Sequence, residues 1–244
     1  MNNLWAILYQ TALGVSMTAL FSESRFSKKR TYTTIGVLIA LLLLMDAFLY
    51  QRLGMDRFMQ IYPLLNHLPA LMMAAYIGEN RGWRLVFQLL SSVLFCVLIQ
   101  HTGALAYLWS GCQIWVTLLV YGITTAVVIW FFTKYLRPLY LQVMHHLRRG
   151  WFPICLILAT YYMILFYLFP GYVGESAIGT VIKPAISFLM TGVYTIIVIL
   201  FSNTQRELEE EHSAALLAAQ VSALRNRMEA VQAIEETVRI ERHD

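Results

Sequence analysis

The last seven residues of the chain, VRIERHD, set a histidine, His243, directly before an aspartate, Asp244. A neutral imidazole is a good nucleophile near neutral pH, and an adjacent carboxylate can orient its tautomer or accept its proton. Elsewhere the reactive side chains are sparse. Asp46, Asn66, His67, Gln100 and His101 lie inside strongly apolar runs, and Glu175 and Lys183 flank the last of those runs. Polar groups in such runs are costly, so each is a candidate for ligand sensing. The bland alternative is a headgroup contact or a hydrogen bond between helices. Cys96, Cys112 and Cys155 are far apart and form no CxxC pair, so they read as packing residues, and no metal site is expected.

These residues have to be positioned by elements that cross a membrane. Hydrophobic residues make up 59% of the 244, charged ones 13%, and the mean hydropathy is +0.60, outside the balance of a soluble domain. The opening MNNLWAILYQ has no basic segment ahead of its apolar run, so that run is expected to stay as a span rather than be cleaved. About seven runs are long enough to cross as helices: 4–21, 32–50, 58–78, 84–108, 113–133, 151–170 and 181–201. Pro63, Asn66, His67 and Pro69 make the third the weakest.

Charge sets the orientation. The connections holding Arg25, Lys28, Lys29, Arg30, Arg81, Arg84, Lys134, Arg137, Arg148 and Arg149 carry ten basic residues, while the alternate connections carry two, Arg52 and Arg57. Basic flanks favour the cytoplasm, so the amino terminus is expected outside and everything after Phe201 inside. The net charge of +4 is accounted for by these flanks and gives no reason to invoke nucleic acid. On this topology the seven polar candidates fall toward the outer face, as in a shared pocket for a peptide or small amphiphile.

After Phe201 the composition changes to Ala, Leu, Glu, Gln and Arg, without Gly or Pro. Leu217, Val221, Leu224, Met228 and Val231 follow at steps of 4, 3, 4 and 3, the seam of a coiled coil. A lone helix would leave this seam wet, and a parallel homodimer would bury it. The step from Val231 to Ile234 is three where four is due, which locally rewinds such a coil. The expected fold is therefore an all-α membrane protein, about seven transmembrane helices followed by a long cytoplasmic dimeric coiled-coil helix. Its parts would be a transmembrane domain over 1–201, a signalling helix over 202–236 and the start of a further helix over 237–244.

A multi-span domain leading through a dimeric helix into RIERHD resembles the polytopic bacterial sensor histidine kinases of the peptide-sensing quorum receptor type, whose catalytic half is a GHKL ATPase. Arg242, His243 and Asp244 match the core of that family's phosphoacceptor box, with Ile240 as its apolar residue. The resemblance implies that His243 accepts phosphate, that Asp244 helps as acid or base, and that the protein sits in the bacterial plasma membrane. It further implies a cytoplasmic response regulator as partner and ATP with Mg2+ for a catalytic domain that this sequence does not contain. The chain accordingly reads as ending at the edge of the phosphoacceptor helix, inactive as a kinase alone. Two rivals remain: a transporter, for which the interrupted third run would line a path, and a non-catalytic dimeric membrane adaptor.

Overall fold

The computed structural model describes residues 4–111, 113–147, 150–165 and 177–241, with side chains of the last segment over 180–229. The described residues are helical throughout except for short connections and one isolated bridge, Ser24 to Gly78. They form α1 (Leu4–Leu20), α2 (Lys28–Ile77), α3 (Trp83–Trp109), α4 (Ile114–Phe131), α5 (Arg137–His146), α6 (Trp151–Met163) and α7 (Ala177–Glu241). The chain divides into two compact units, Met1–Val198 and Ile199–Asp244.

Among the described residues, four helical stretches are long and apolar enough to cross a membrane: Lys28–Met55, Trp83–Trp109, Ile114–His146 and Thr180–Glu229. Leu4–Leu20 and Trp151–Met163 are shorter apolar helices. The first unit exposes large apolar side chains and buries several polar ones within a mainly apolar interior. Val37, Leu41, Leu44 and Phe48 point outward along the first half of α2, while Asp46, Gln88, Ser91 and Ser187 are fully buried. Apolar surroundings outside and satisfied polar groups inside are what a bilayer demands of a helix bundle.

α2 is one helical run of 50 residues only in name, because Gly54 breaks it with φ 73 and ψ 171. A straight helix would carry residue 66 about 30 Å from residue 46 at 1.5 Å per residue. Asn66 Nδ2 instead lies 3.2 Å from Asp46 Oδ1, so the chain doubles back at Gly54 into two antiparallel arms. The left-handed φ at the turn is one that glycine adopts without a Cβ penalty. At the other end Arg25 clamps the hairpin through Nε and Nη2 to the Tyr76 carbonyl, at 2.9 and 2.6 Å. The expected runs 32–50 and 58–78 thus lie one in each arm. The second arm stays helical through Pro63 and Pro69.

Residues 134–150, expected as a connection, are helical as far as His146. A π-helical turn at Phe132–Leu136 joins α4 to α5, and Pro138 falls in the first turn of α5, where its missing N–H costs no helical bond. The reason for the extra helix is its buried stripe, Phe132, Leu136, Tyr140 and Val143. Phe132 and Tyr140 join an aromatic core with Phe21 (ring centroids 4.2 and 4.9 Å from it), Phe87 and Phe95. Pairs of this kind contribute about 0.5–1.5 kcal/mol each beyond their buried area.

Candidate functional site

A buried carboxylate is the centre of the first polar cluster. Asp46, on the first arm of α2, is 0% exposed, and Thr11 of α1 donates its hydroxyl to Oδ2 at 2.6 Å. Asn66 of the second arm donates to Oδ1 at 3.2 Å. Because Thr11 gives its proton to Asp46, the Tyr62 hydroxyl 3.2 Å away is the donor to Thr11 Oγ1. A relay therefore runs from Tyr62 through Thr11 to Asp46, and it ties α1 to both arms of the hairpin. No described Lys, Arg or His side chain forms an ion pair with Asp46.

Beside this cluster lies a cavity of about 40 Å³, lined among others by Gln10, Thr11, Tyr62, Asn66, His67 and Cys96. His67 Nδ1 is 3.4 Å from the Tyr162 hydroxyl, which brings α6 to the same region. Gln10 extends the polar track to α3, donating Nε2 to Gln100 Oε1 at 2.7 Å. Asp46 and Asn66 bond directly, Gln100 is linked to Gln10 of α1, and His67 lines the same cavity. Asp46 and Asn66 are buried, while His67 and Gln100 are half-buried.

A second cluster holds the first turns of α7 to the bundle. Ser187, 0% exposed, donates to the Lys183 carbonyl at 2.9 Å and accepts from the Tyr161 hydroxyl at 3.0 Å. Its one proton is thereby used, so the contact at 2.7 Å with His101 requires the imidazole to donate from Nδ1. Nδ1 of His101 then carries a proton. Lys183 is buried one turn before Ser187. Farther along α7, Tyr194 donates to Ser91 Oγ at 2.9 Å and packs its ring against Phe87 and Phe95.

Hydroxyl and amide residues carry most of what sequence reading missed: Thr11, Tyr62, Tyr161 and Ser187, and the pair Gln88 and Ser22, whose side chains bond in a short contact. Thr11, Thr18 and Ser22 stand at steps of seven and four in the sequence, one helical face, and that spacing was the available signal. Glu175, Arg242, His243 and Asp244, and the side chain of Val231, lie outside the described residues. The remaining seam residues Leu217, Val221, Leu224 and Met228 are each at least 60% exposed in the single chain. Cys96 and Cys155 are buried and free, with Cys155 Sγ against the Trp83 carbonyl. Comparison with protein-family models, with curated proteins and with solved structures finds no match for the chain.

Proposed function

We propose that this chain is the membrane sensor and signal-transmission part of a two-component histidine kinase, with seven spans, an outer amino terminus and a cytoplasmic dimeric helix. On this reading the seven spans would be α1, the two arms of α2, α3, α4, α6 and the first part of α7; among the described residues four stretches, in the first arm of α2, α3, α4 with α5, and α7, are long and apolar enough to cross. An extracellular peptide or small amphiphile would act on the polar interior around Asp46, Asn66, His67, Gln100 and His101. Its effect would reach α7 through the bond between His101 and Ser187. The observation that carries the reading is the composition of α7 itself, a single helical element running from the buried Lys183 and Ser187 to an exposed apolar seam and on toward RIERHD. A seam of this period seeks a second copy of itself, and a dimeric helix with two packings of similar energy is a switch. The partners on this reading are a second protomer, the bilayer, the outer ligand and a response regulator, with ATP and Mg2+ used by a catalytic domain downstream.

The test joins the chain in register to a GHKL-type catalytic domain and measures phosphate incorporation from labelled ATP. Phosphate should enter the native fusion, and His243→Gln should abolish it while leaving the helix and the ATPase domain intact. Inserting one residue after Val231 restores the four-residue step and should make phosphorylation independent of any added ligand. Undiminished phosphorylation of the His243→Gln fusion would refute the assignment of the acceptor. The cavity beside the buried Asp46 carboxylate favours a transporter as the second reading. Saturable solute uptake into vesicles carrying the chain alone would establish it.

A further inference from the structure

Arg25 and Arg30 are held over the same pair of rings at one end of the α2 hairpin, and no carboxylate balances them. The rings are Phe26 and Tyr76, tilted to each other with centroids 5.2 Å apart. The Arg30 guanidinium carbon lies 4.0 Å from the centre of Phe26 and 5.8 Å from that of Tyr76; the Arg25 carbon lies 5.0 and 6.0 Å away. Aromatic faces attract a guanidinium, so they gather like charges that would otherwise separate. Lys28 and Lys29, both exposed in the first turn of α2, add to the positive charge. The acids of these segments leave it uncompensated. Glu23 pairs with His145 at 2.8 Å, and neither Glu23 nor Glu79 forms an ion pair with any of these cations.

Stacking leaves the edges of both guanidinium groups open. Arg25 gives Nε and Nη2 to the Tyr76 carbonyl, and Arg30 gives Nη2 to the Tyr76 hydroxyl. Nη1 of Arg25, and Nε and Nη1 of Arg30, keep donors with no acceptor among the described residues. Both arginines are exposed. Open guanidinium edges beside lysine ammonium groups suit a phosphate, which takes guanidinium bonds in pairs.

The source of that phosphate follows from where the cations stand. The stretch Lys28–Met55, apolar and long enough to cross a membrane, begins at them, and lipid headgroups lie at the ends of such a stretch. From Tyr76, the residues Met72, Leu68 and Leu64 follow at steps of four along the second arm, and all are exposed. This spacing is one helical face, apolar as the surface under an acyl chain must be. We infer that Arg25, Lys28, Lys29 and Arg30 bind the phosphate of an anionic phospholipid, with Phe26 and Tyr76 as the platform beneath the guanidinium groups. Uncompensated basic residues at a membrane surface favour a lipid of net negative charge over a zwitterionic one. The site does not depend on the kinase reading.

Phosphatidylglycerol is the probe. The whole chain in dodecyl maltoside micelles is titrated with short-chain phosphatidylglycerol or phosphatidylcholine, and bound lipid is counted by native mass spectrometry. Phosphatidylglycerol should bind saturably and about tenfold or more tighter than phosphatidylcholine. Lys28→Gln, Lys29→Gln and Arg30→Gln together should abolish that preference and leave phosphatidylcholine binding unchanged. Should this triple variant fail to fold, Lys28→Gln with Lys29→Gln serves in its place, because those side chains bond to no described residue. The double variant should lower the preference about threefold or more. Arg52→Gln, toward the other end of the first arm where the guanidinium lies over Phe48, should leave the preference as it is. The inference fails if the native chain binds the two lipids alike, or if a folded variant at Lys28 and Lys29 keeps the native preference. Displacement of phosphatidylglycerol by millimolar inorganic phosphate at constant ionic strength would reveal a site for the free anion and overturn the assignment to lipid.

Discussion

Ser187→Ala probes how α7 is held. The Ser187 hydroxyl accepts from Tyr161 and from His101, and it lies at 0% exposure, so no water replaces it in the variant. Two buried donors lose their acceptor. In a soluble core each would cost about 1–3 kcal/mol. In a bilayer the unfolded reference state also finds partners, and measured couplings average about 0.6 and reach about 1.7 kcal/mol. Two bonds then give a destabilisation of about 1.2 kcal/mol, with a ceiling of about 3.4.

A double-mutant cycle isolates one of them. Tyr161→Phe removes the donor and keeps the ring, so its loss alone should be about 0.6 kcal/mol, and in the Ser187→Ala background it should cost almost nothing. The assay is reversible unfolding in mixed lipid and detergent micelles, followed by near-ultraviolet circular dichroism. A coupling of about 0.6–1.7 kcal/mol supports the geometry. Strict additivity of the two substitutions would show that Tyr161 and Ser187 do not meet, and the second cluster would lose its bond from α6 to α7.

Gly103→Ala should cost about 1–3 kcal/mol by overpacking, because a Cβ at that position would fall 2.5 Å from Cζ of Tyr121, whose ring is packed by Trp5 and Tyr9; Tyr121→Ala in the same background should recover part of the loss if that clash is the cause. Single cysteines at Leu217, Leu224 or Val231 should cross-link between protomers under mild oxidation while those at Ala218 or Arg225 do so poorly, and equal cross-linking at every position would refute the seam. A reporter fused after Gly111 should be active only outside the cell and one after Arg30 or Gly150 only inside; activity of the Gly111 fusion inside would sink the seven-span topology.

Segment positions were legible because hydrophobic run length is a direct measure of what can cross a bilayer, and α3 and the early part of α7 follow from it. The hairpin of α2 was less so. Pro63 and Pro69 read as interruptions, whereas in apolar surroundings a helix has no water to take its remaining bonds and continues through proline. The actual break is a single glycine, Gly54, whose positive φ no apolar pattern announces. Residues 134–150 misled in the opposite direction. Their basic flanks read as a connection, yet Leu136, Tyr140 and Val143 are buried, and that stripe is what extends the helix to His146.

The site was legible where side chains are expensive and illegible where they are cheap. Asp46, Asn66 and His101 stand out because a carboxylate, an amide or an imidazole in an apolar run must find a partner. Hydroxyls carry no such signal, since within a helix they have a default partner in the carbonyl four residues back. Thr102, Thr160, Thr191 and Thr195 all use it. Ser187 uses it too, giving its proton to the Lys183 carbonyl. What separates Ser187 from those threonines is that its two lone pairs face Tyr161 of α6 and His101 of α3, and that is a property of three helices at once. Thr11 is singled out the same way: it gives its proton to Asp46 and meets Tyr62, whereas Thr18 gives its own to the Gly14 carbonyl and meets Ser92. A polar residue that must be paired can be found from its own chemistry, but the hydroxyl that pairs it is chosen by packing, and packing here joins segments of the chain 35 and 86 residues apart.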